Sequence, residues 1–109
     1  MRLNNPLEIF CLREYNNSVT FADLQKSLEI FNLSQRATLK ELKARHRELV
    51  RRHHPDAGNQ SDPERIKLIN AAYKILMTYA ESYKLSFSEA EFYEQNPEER
   101  LRRQFAFEL

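Results

Sequence analysis

The 109-residue sequence predicts an all-α protein with one hydrophobic core. Three observations lead to this prediction. The chain has only one glycine and four prolines, so few positions interrupt regular structure. No window shows the sustained alternation of apolar and polar residues that a half-buried strand requires. Apolar residues instead recur at intervals of three and four, which is the spacing that forms one face of a helix.

The composition is that of a soluble, folded domain, with 41% hydrophobic and 30% charged residues. Seventeen basic against sixteen acidic residues give a net charge of +1, which by itself indicates neither nucleic acid nor a membrane surface as a partner. The single cysteine, Cys11, excludes an intramolecular disulfide framework and a thiolate zinc site. With no secretory or membrane-spanning stretch, the sequence predicts a cytoplasmic protein.

The first helix is predicted from about Phe21 to Phe31, with Thr20 as its N-cap. Leu24, Leu28 and Phe31 recur along it at helical spacing and indicate its buried face. Asn32 follows directly, and asparagine tolerates the left-handed backbone that often ends a helix.

The second helix is predicted to begin after Thr38, whose hydroxyl can accept a backbone N–H at the helix start. Glu41, three residues later, completes the pattern of a capping box. The helix should end at His53 or His54, because the residue before Pro55 is forced out of the helical region.

The third helix is predicted to begin near Asp62, with Pro63 at its first position. Its apolar residues follow a spacing of three and four, at Ile66, Ile69, Tyr73, Leu76 and Ala80. Two shorter helices, separated at Asn96-Pro97, should follow after Lys84. The chain is therefore divided into an N-terminal extension (1–20), a central domain (21–84) and a C-terminal helical extension (85–109) that packs on the same domain.

A helical wheel of the second helix separates an apolar face from a basic one. At about 100° per residue, the apolar face spans roughly 100° and consists of Leu39, Leu42, His46, Leu49, Val50 and His53. Four cations lie in a separate arc about 80° wide: Lys40, Lys43, Arg47 and Arg51. This basic stripe leads toward His54, and Glu41 and Glu48 lie outside it. A stripe without neighbouring acids favours an acidic partner.

The tripeptide His54-Pro55-Asp56 and the residues around it resemble the J-domain family. The matching positions are Ala37-Thr38, Leu42, Arg47 and Leu49 upstream, and Ile69-Asn70-Ala71-Ala72-Tyr73 and Leu76 downstream. The resemblance covers roughly residues 21–84. It implies an antiparallel hairpin of the second and third helices with a short helix before it, to which this chain adds C-terminal helices.

The resemblance also implies a function, that of a co-chaperone without enzymatic activity or cofactor. It binds a DnaK-family chaperone and stimulates its ATP hydrolysis. Asp56 would contact a partner arginine, His54 would place the loop and Pro55 would set its shape. The basic stripe would dock on an acidic surface of the chaperone. We expect a monomer. Either the terminal extensions recruit a client protein, or the chain only stimulates the chaperone and recruits no client.

Several residues depart from the family pattern. Asn32 replaces a common glycine, and His46 and His53 replace aromatic residues on the inward face, where we expect hydrogen-bonded core or boundary residues and not ligands. Glu48 interrupts a usual basic pair, and Ala57 replaces a basic residue. Both changes lower the positive charge beside the loop, so we expect weak affinity or narrow partner choice.

Parts of the sequence are also compatible with two other functions. A helical nucleic-acid-binding domain could use the basic second helix, but the net charge and the acidic segment 81–99 oppose it. A metal-dependent hydrolase could use His53, His54 and Asp56, but adjacent histidines point about 100° apart on a helix and no second pair at i, i+4 is present. No nucleophile motif or glycine-rich phosphate loop supports an enzyme.

Overall fold

The computed structural model describes residues 19–54, 56 and 62–106. This part of the chain contains five helices and no strand, which confirms the all-α prediction. In chain order the helices are α1 (Phe21–Phe31), α2 (Leu39–His53), α3 (Pro63–Ser82), α4 (Glu89–Gln95) and α5 (Pro97–Ala106). The predictions for Cys11, Pro55 and Ala57 concern residues outside the described part. No described helix combines the length and apolar character that a bilayer crossing requires.

Local interactions fix both ends of α1. The Thr20 hydroxyl accepts the Asp23 backbone N–H at 3.1 Å, and the Asp23 carboxylate accepts the Thr20 N–H at 3.2 Å. This reciprocal pair satisfies donors that the first turn of a helix leaves without partners. At the other end Asn32 adopts the left-handed conformation (φ 51°, ψ 46°), which confirms the prediction made for it.

The two ends of α2 lie where they were predicted. The Thr38 hydroxyl accepts the Glu41 backbone N–H at 3.1 Å and caps the helix. The predicted capping box is different in detail, because the Glu41 carboxylate accepts from the same hydroxyl at 3.2 Å instead of from the Thr38 backbone. The helix ends at His53, and His54 takes extended angles (φ −63°, ψ 148°), as expected before a proline.

The start of α3 closes the loop between the two long helices. The Asp62 carboxylate accepts the Arg65 backbone N–H at 3.1 Å, and Pro63 is the first helical residue, as predicted. The Asp62 backbone N–H donates to the His53 carbonyl at 3.1 Å, so the last residue of α2 lies beside the residue that precedes α3. Since the two helices also pack against each other, they form the predicted antiparallel hairpin.

The core lies between α3 and the two helices that pack on it, α1 and α2. Its buried apolar residues are Ile30, Phe31, Leu42, Leu49, Leu68, Ile69, Ala71, Ala72, Ile75 and Leu76. Burial of a side chain such as Phe31 or Ile69 contributes about 1.5–3 kcal/mol to stability. Leu39 was placed in the apolar arc of α2 but is 47% exposed, so the buried face begins one turn later at Leu42.

Three stacked rings join α1, α2 and α3. The His46 ring lies parallel to the Tyr73 ring with 3.8 Å between centroids, and Phe31 stacks on the same layer at 6.2 Å from His46. His46 Nε2 also lies 3.0 Å from Asn70 Oδ1, to which it donates a hydrogen bond. His46 is therefore the hydrogen-bonded boundary residue that its position on the wheel predicted.

The C-terminal segment forms two short helices that separate at Asn96-Pro97, as predicted. They pack chiefly on each other, through an ion pair between Arg103 and Glu89 and through the Arg103 guanidinium, which lies 5.4 Å from the Tyr93 ring centroid. Neither helix contains a buried residue. The division of the chain at residues 20 and 84 stays a prediction.

Candidate functional site

The end of α2 presents a histidine and an aspartate to solvent. The His54 side chain is 50% exposed and that of Asp56 is 93% exposed. The Asp56 backbone N–H donates to His54 Nδ1 at 3.2 Å. The His54 ring therefore helps to hold the backbone of Asp56 in position. The same Nδ1 lies 3.5 Å from Oδ2 of the Asp56 carboxylate, which otherwise faces solvent. That carboxylate is available to donors of another molecule.

The four cations of the basic stripe lie exposed along one side of α2. None of Lys40, Lys43, Arg47 and Arg51 forms an ion pair with any residue in the described part of the chain. With a rise of 1.5 Å per residue, the stripe is about 17 Å long. It therefore forms a row of uncompensated positive charge that ends beside His54.

Glu48 lies away from the stripe and pairs with the other two arginines of α2. Its Oε1 accepts from Arg52 Nη2 at 2.9 Å, and its Oε2 lies 3.7 Å from Arg45 Nη1. The partners are three residues before and four residues after it, which is the spacing of neighbours on a helix surface. Glu48 thus compensates charge on a different face and leaves the stripe unpaired.

An open groove of about 660 Å³ connects the stripe to the aspartate. Its lining residues, which we call the α2 groove, are His46, Arg47, Val50, Arg51, His54 and Asp56. It brings together two of the predicted cations and both described residues of the tripeptide. Lys40 and Lys43 lie further toward the start of the helix, outside the groove.

Two groove residues were missed by the sequence reasoning. His46 and Val50 were assigned only to the apolar face, yet they also line the α2 groove, and both are partly exposed. A signal was available, since Val50 lies on the wheel only about 20° from Lys43, at the edge of the basic stripe.

The tip of α2 does not form a metal site in the described part of the chain. Among the described residues, no group of three or more histidine, cysteine, aspartate or glutamate side chains is placed to hold a metal ion. The combination of His53, His54 and Asp56 considered above is therefore not such a group.

Comparison with known proteins identifies the family. Residues 27–82 match the DnaJ domain family. The chain is 44% identical over 48 residues to "Chaperone protein DnaJ" of Ureaplasma parvum serovar 3, a match that covers 44% of this chain and 13% of that protein. It is 38% identical over 53 residues to an uncharacterized 19.0 kDa protein of Sinorhizobium sp., over 47% of this chain and 31% of that protein. No solved structure matches.

The family match covers 56 of the 109 residues, from 27 to 82. It includes the end of α1, all of α2 and α3, and the His54 and Asp56 side chains between them. These are the helical hairpin and the loop that carried the resemblance in the sequence. The chain belongs to the DnaJ domain family, the J-domain co-chaperones.

Proposed function

We propose that this chain binds a DnaK-family chaperone and stimulates its ATP hydrolysis. The observation that carries the proposal is the continuity of one surface: the unpaired cations Arg47 and Arg51 share a groove with the exposed Asp56. Membership of the J-domain family supports this partner, and one relative is named a chaperone protein. The chain itself acts as a regulator and performs no covalent chemistry.

Asp56 is the proposed contact to an arginine of the chaperone. Hydrogen bonds to charged groups are worth about 1.5–3 kcal/mol, and those between a carboxylate and a guanidinium are among the stronger polar contacts. The bond from the Asp56 backbone to His54 limits where the carboxylate can lie, so less conformational entropy is lost on binding. His54 is therefore proposed to position Asp56 and not to transfer a proton.

The basic stripe is proposed to dock on an acidic surface of the chaperone. Exposed charges that complement a partner mainly raise the rate of association and fix its orientation. Lys40 and Lys43 would extend the contact along α2, and Arg47 and Arg51 would anchor it beside Asp56. Such an interface should weaken with added salt, since charges are screened over about 10 Å at 0.1 M.

Single-turnover ATP hydrolysis by a DnaK-family chaperone tests the proposal. The unmodified chain should accelerate hydrolysis, and Asp56→Asn should abolish the acceleration, because the amide cannot form the charged pair. His54→Gln should lower it, because the brace at Nδ1 is lost. Glu81→Gln is the matched control, since it removes one exposed carboxylate near the other end of α3. Circular dichroism would show that each variant is folded. Equal acceleration by the chain and by Asp56→Asn would refute the proposal.

Nucleic-acid binding is the second candidate, and one observation favours it. The same unpaired cations form a row about 17 Å long that could follow a phosphate backbone. The negative charge of Asp56 within the α2 groove opposes it. If the chain failed to stimulate hydrolysis but bound duplex DNA in a manner that depended on Arg47 and Arg51, this candidate would replace the first.

A further inference from the structure

The six lysine and arginine side chains of α2 fall into two groups. Four form the basic stripe and have no ion-pair partner within residues 19–54, 56 and 62–106. The other two, Arg45 and Arg52, lie on a second face that is roughly 150° from the stripe at 100° per residue. Both of these arginines are paired with the single carboxylate of Glu48, one to each oxygen.

The α2 groove lies on the opposite side of the stripe from Glu48. Its floor residues, His46 and Val50, lie between the stripe and α3, and His46 bonds to Asn70 of α3. The charged partners of Glu48 are Arg45 and Arg52, and neither of them lines the groove. A change at Glu48 should therefore leave the shape of the groove and the pairing of the stripe as they are.

We propose that Glu48 determines the specificity of α2, by confining its anion-binding surface to the stripe. Without Glu48, positive charge would extend from an arc of about 80° to one of about 200°. A flat acidic surface contacts one face of a helix, whereas a long flexible or grooved polyanion can contact both. Glu48 thus disfavours nonspecific polyanions while leaving the docking face intact. The identity of the acidic partner rests on the proposed function, but the effect of Glu48 on polyanion binding does not.

Duplex DNA of random sequence is the probe for this proposal. Its affinity for the full chain and for Glu48→Gln would be measured by fluorescence anisotropy between 50 and 200 mM salt. Each phosphate contact adds about 0.9 to the slope of log affinity against log salt. Two freed arginines should therefore steepen the slope by up to about 1.8, which is an extra twelvefold loss of affinity, roughly, across this salt range.

A double-mutant cycle assigns the effect to the two arginines. Replacing Arg45 and Arg52 by glutamine should leave the slope unchanged in the parent chain, but should return it to the parent value in the Glu48→Gln background. Glu41→Gln is the matched control, because it removes one carboxylate of the same helix that pairs with no arginine among the described residues. An unchanged slope in Glu48→Gln, or an equal increase in Glu41→Gln, would overturn the proposal.

The ATPase assay separates this proposal from the proposed function. At a saturating concentration, Glu48→Gln should stimulate hydrolysis as the parent does, but competitor DNA should suppress its stimulation at several-fold lower concentration. Equal sensitivity of both chains to DNA would contradict the role of Glu48. If neither chain stimulated hydrolysis, the proposed function would fail, and the DNA slopes would still decide whether Glu48 confines the surface.

Discussion

Removal of two stripe cations should weaken stimulation much more than removal of two other cations from the same helix. The test variant replaces Arg47 and Arg51 by glutamine, and the comparison variant replaces Arg45 and Arg52. Both remove two positive charges from α2, so the fall in net charge and in long-range attraction is the same. They differ in local contacts, because Arg47 and Arg51 line the α2 groove and the other two are paired with Glu48.

The expected size of the effect follows from the exposure of the stripe. An exposed charge in an ion pair contributes about 0.2–1 kcal/mol. Loss of two therefore costs about 0.4–2 kcal/mol, which is about a 2- to 30-fold rise in the concentration for half-maximal stimulation, since 1.4 kcal/mol is tenfold. The Arg45 and Arg52 variant also leaves Glu48 uncompensated, which adds repulsion from an acidic partner. This repulsion works against the predicted difference between the two variants. A smaller loss of affinity in the Arg45 and Arg52 variant would therefore be a conservative result.

The assay is a titration of each variant against a fixed amount of chaperone, with single-turnover ATP hydrolysis as the signal. It would be repeated at about 50 and 200 mM salt, because the distance over which charges act shortens as the ionic strength rises. The stripe variant should lose most at low salt and converge on the parent at high salt. If the two double variants lost equal affinity, net charge and not the stripe would explain docking, and the proposed orientation would be wrong.

Three further predictions concern stability and domain division. Phe31→Ala should lower the free energy of unfolding, measured by urea denaturation, by about 3–5 kcal/mol, because the ring is fully buried and stacked on His46. A loss below about 1 kcal/mol would contradict its place in the core. Asn32→Val should lower the free energy of unfolding by about 1–2 kcal/mol and Asn32→Gly should lower it little, because the φ angle of Asn32 is 51°. Equal stability of the two variants in the same denaturation would be inconsistent with the left-handed turn. A chain that ends at Lys84 should unfold thermally with a midpoint within about 5 °C of that of the full chain, because no residue of α4 or α5 is buried. A drop of more than about 10 °C would place the domain boundary C-terminal to Lys84.

The helix ends were predictable because their causes are local. Thr20, Thr38 and Asp62 each accept a backbone N–H three residues later, and each was placed as the residue before a helix. Asn32 ends α1 through its own tolerance of the left-handed region, and His54 ends α2 because the residue before a proline is forced out of the helical region. Such interactions span a few residues, so the sequence contains all the information that they need.

Contacts between distant segments were not predictable from periodicity. His46 and Asn70 are 24 residues apart, and only the packing of α2 on α3 brings them to 3.0 Å. The exposure of Leu39 likewise depends on which part of α2 the other helices cover. A helical wheel gives the direction of a side chain but not the length of the surface that covers it.

The stripe was predictable from the wheel, while its surroundings were only partly so. The four cations were identified by angle, and their lack of described partners agrees with the absence of acids in that arc. The wheel placed Glu48 outside the stripe, and its departure from the family pattern was expected to lower the positive charge beside the loop. Its spacing from Arg45 and Arg52 already allowed two ion pairs away from the stripe, and that local rule gives the more accurate reading.

The most direct test of the account is a map of the surface that contacts the chaperone. Backbone amide NMR shifts of the isotope-labelled chain would be followed as an ATP-bound DnaK-family chaperone is added. The largest changes are expected at Lys43, Arg47, Arg51 and Asp56, with little change at Arg45. Changes concentrated on α1 or on the exposed face of α5, with Arg47 and Asp56 unaffected, would contradict the claim that the stripe and the aspartate form one docking surface.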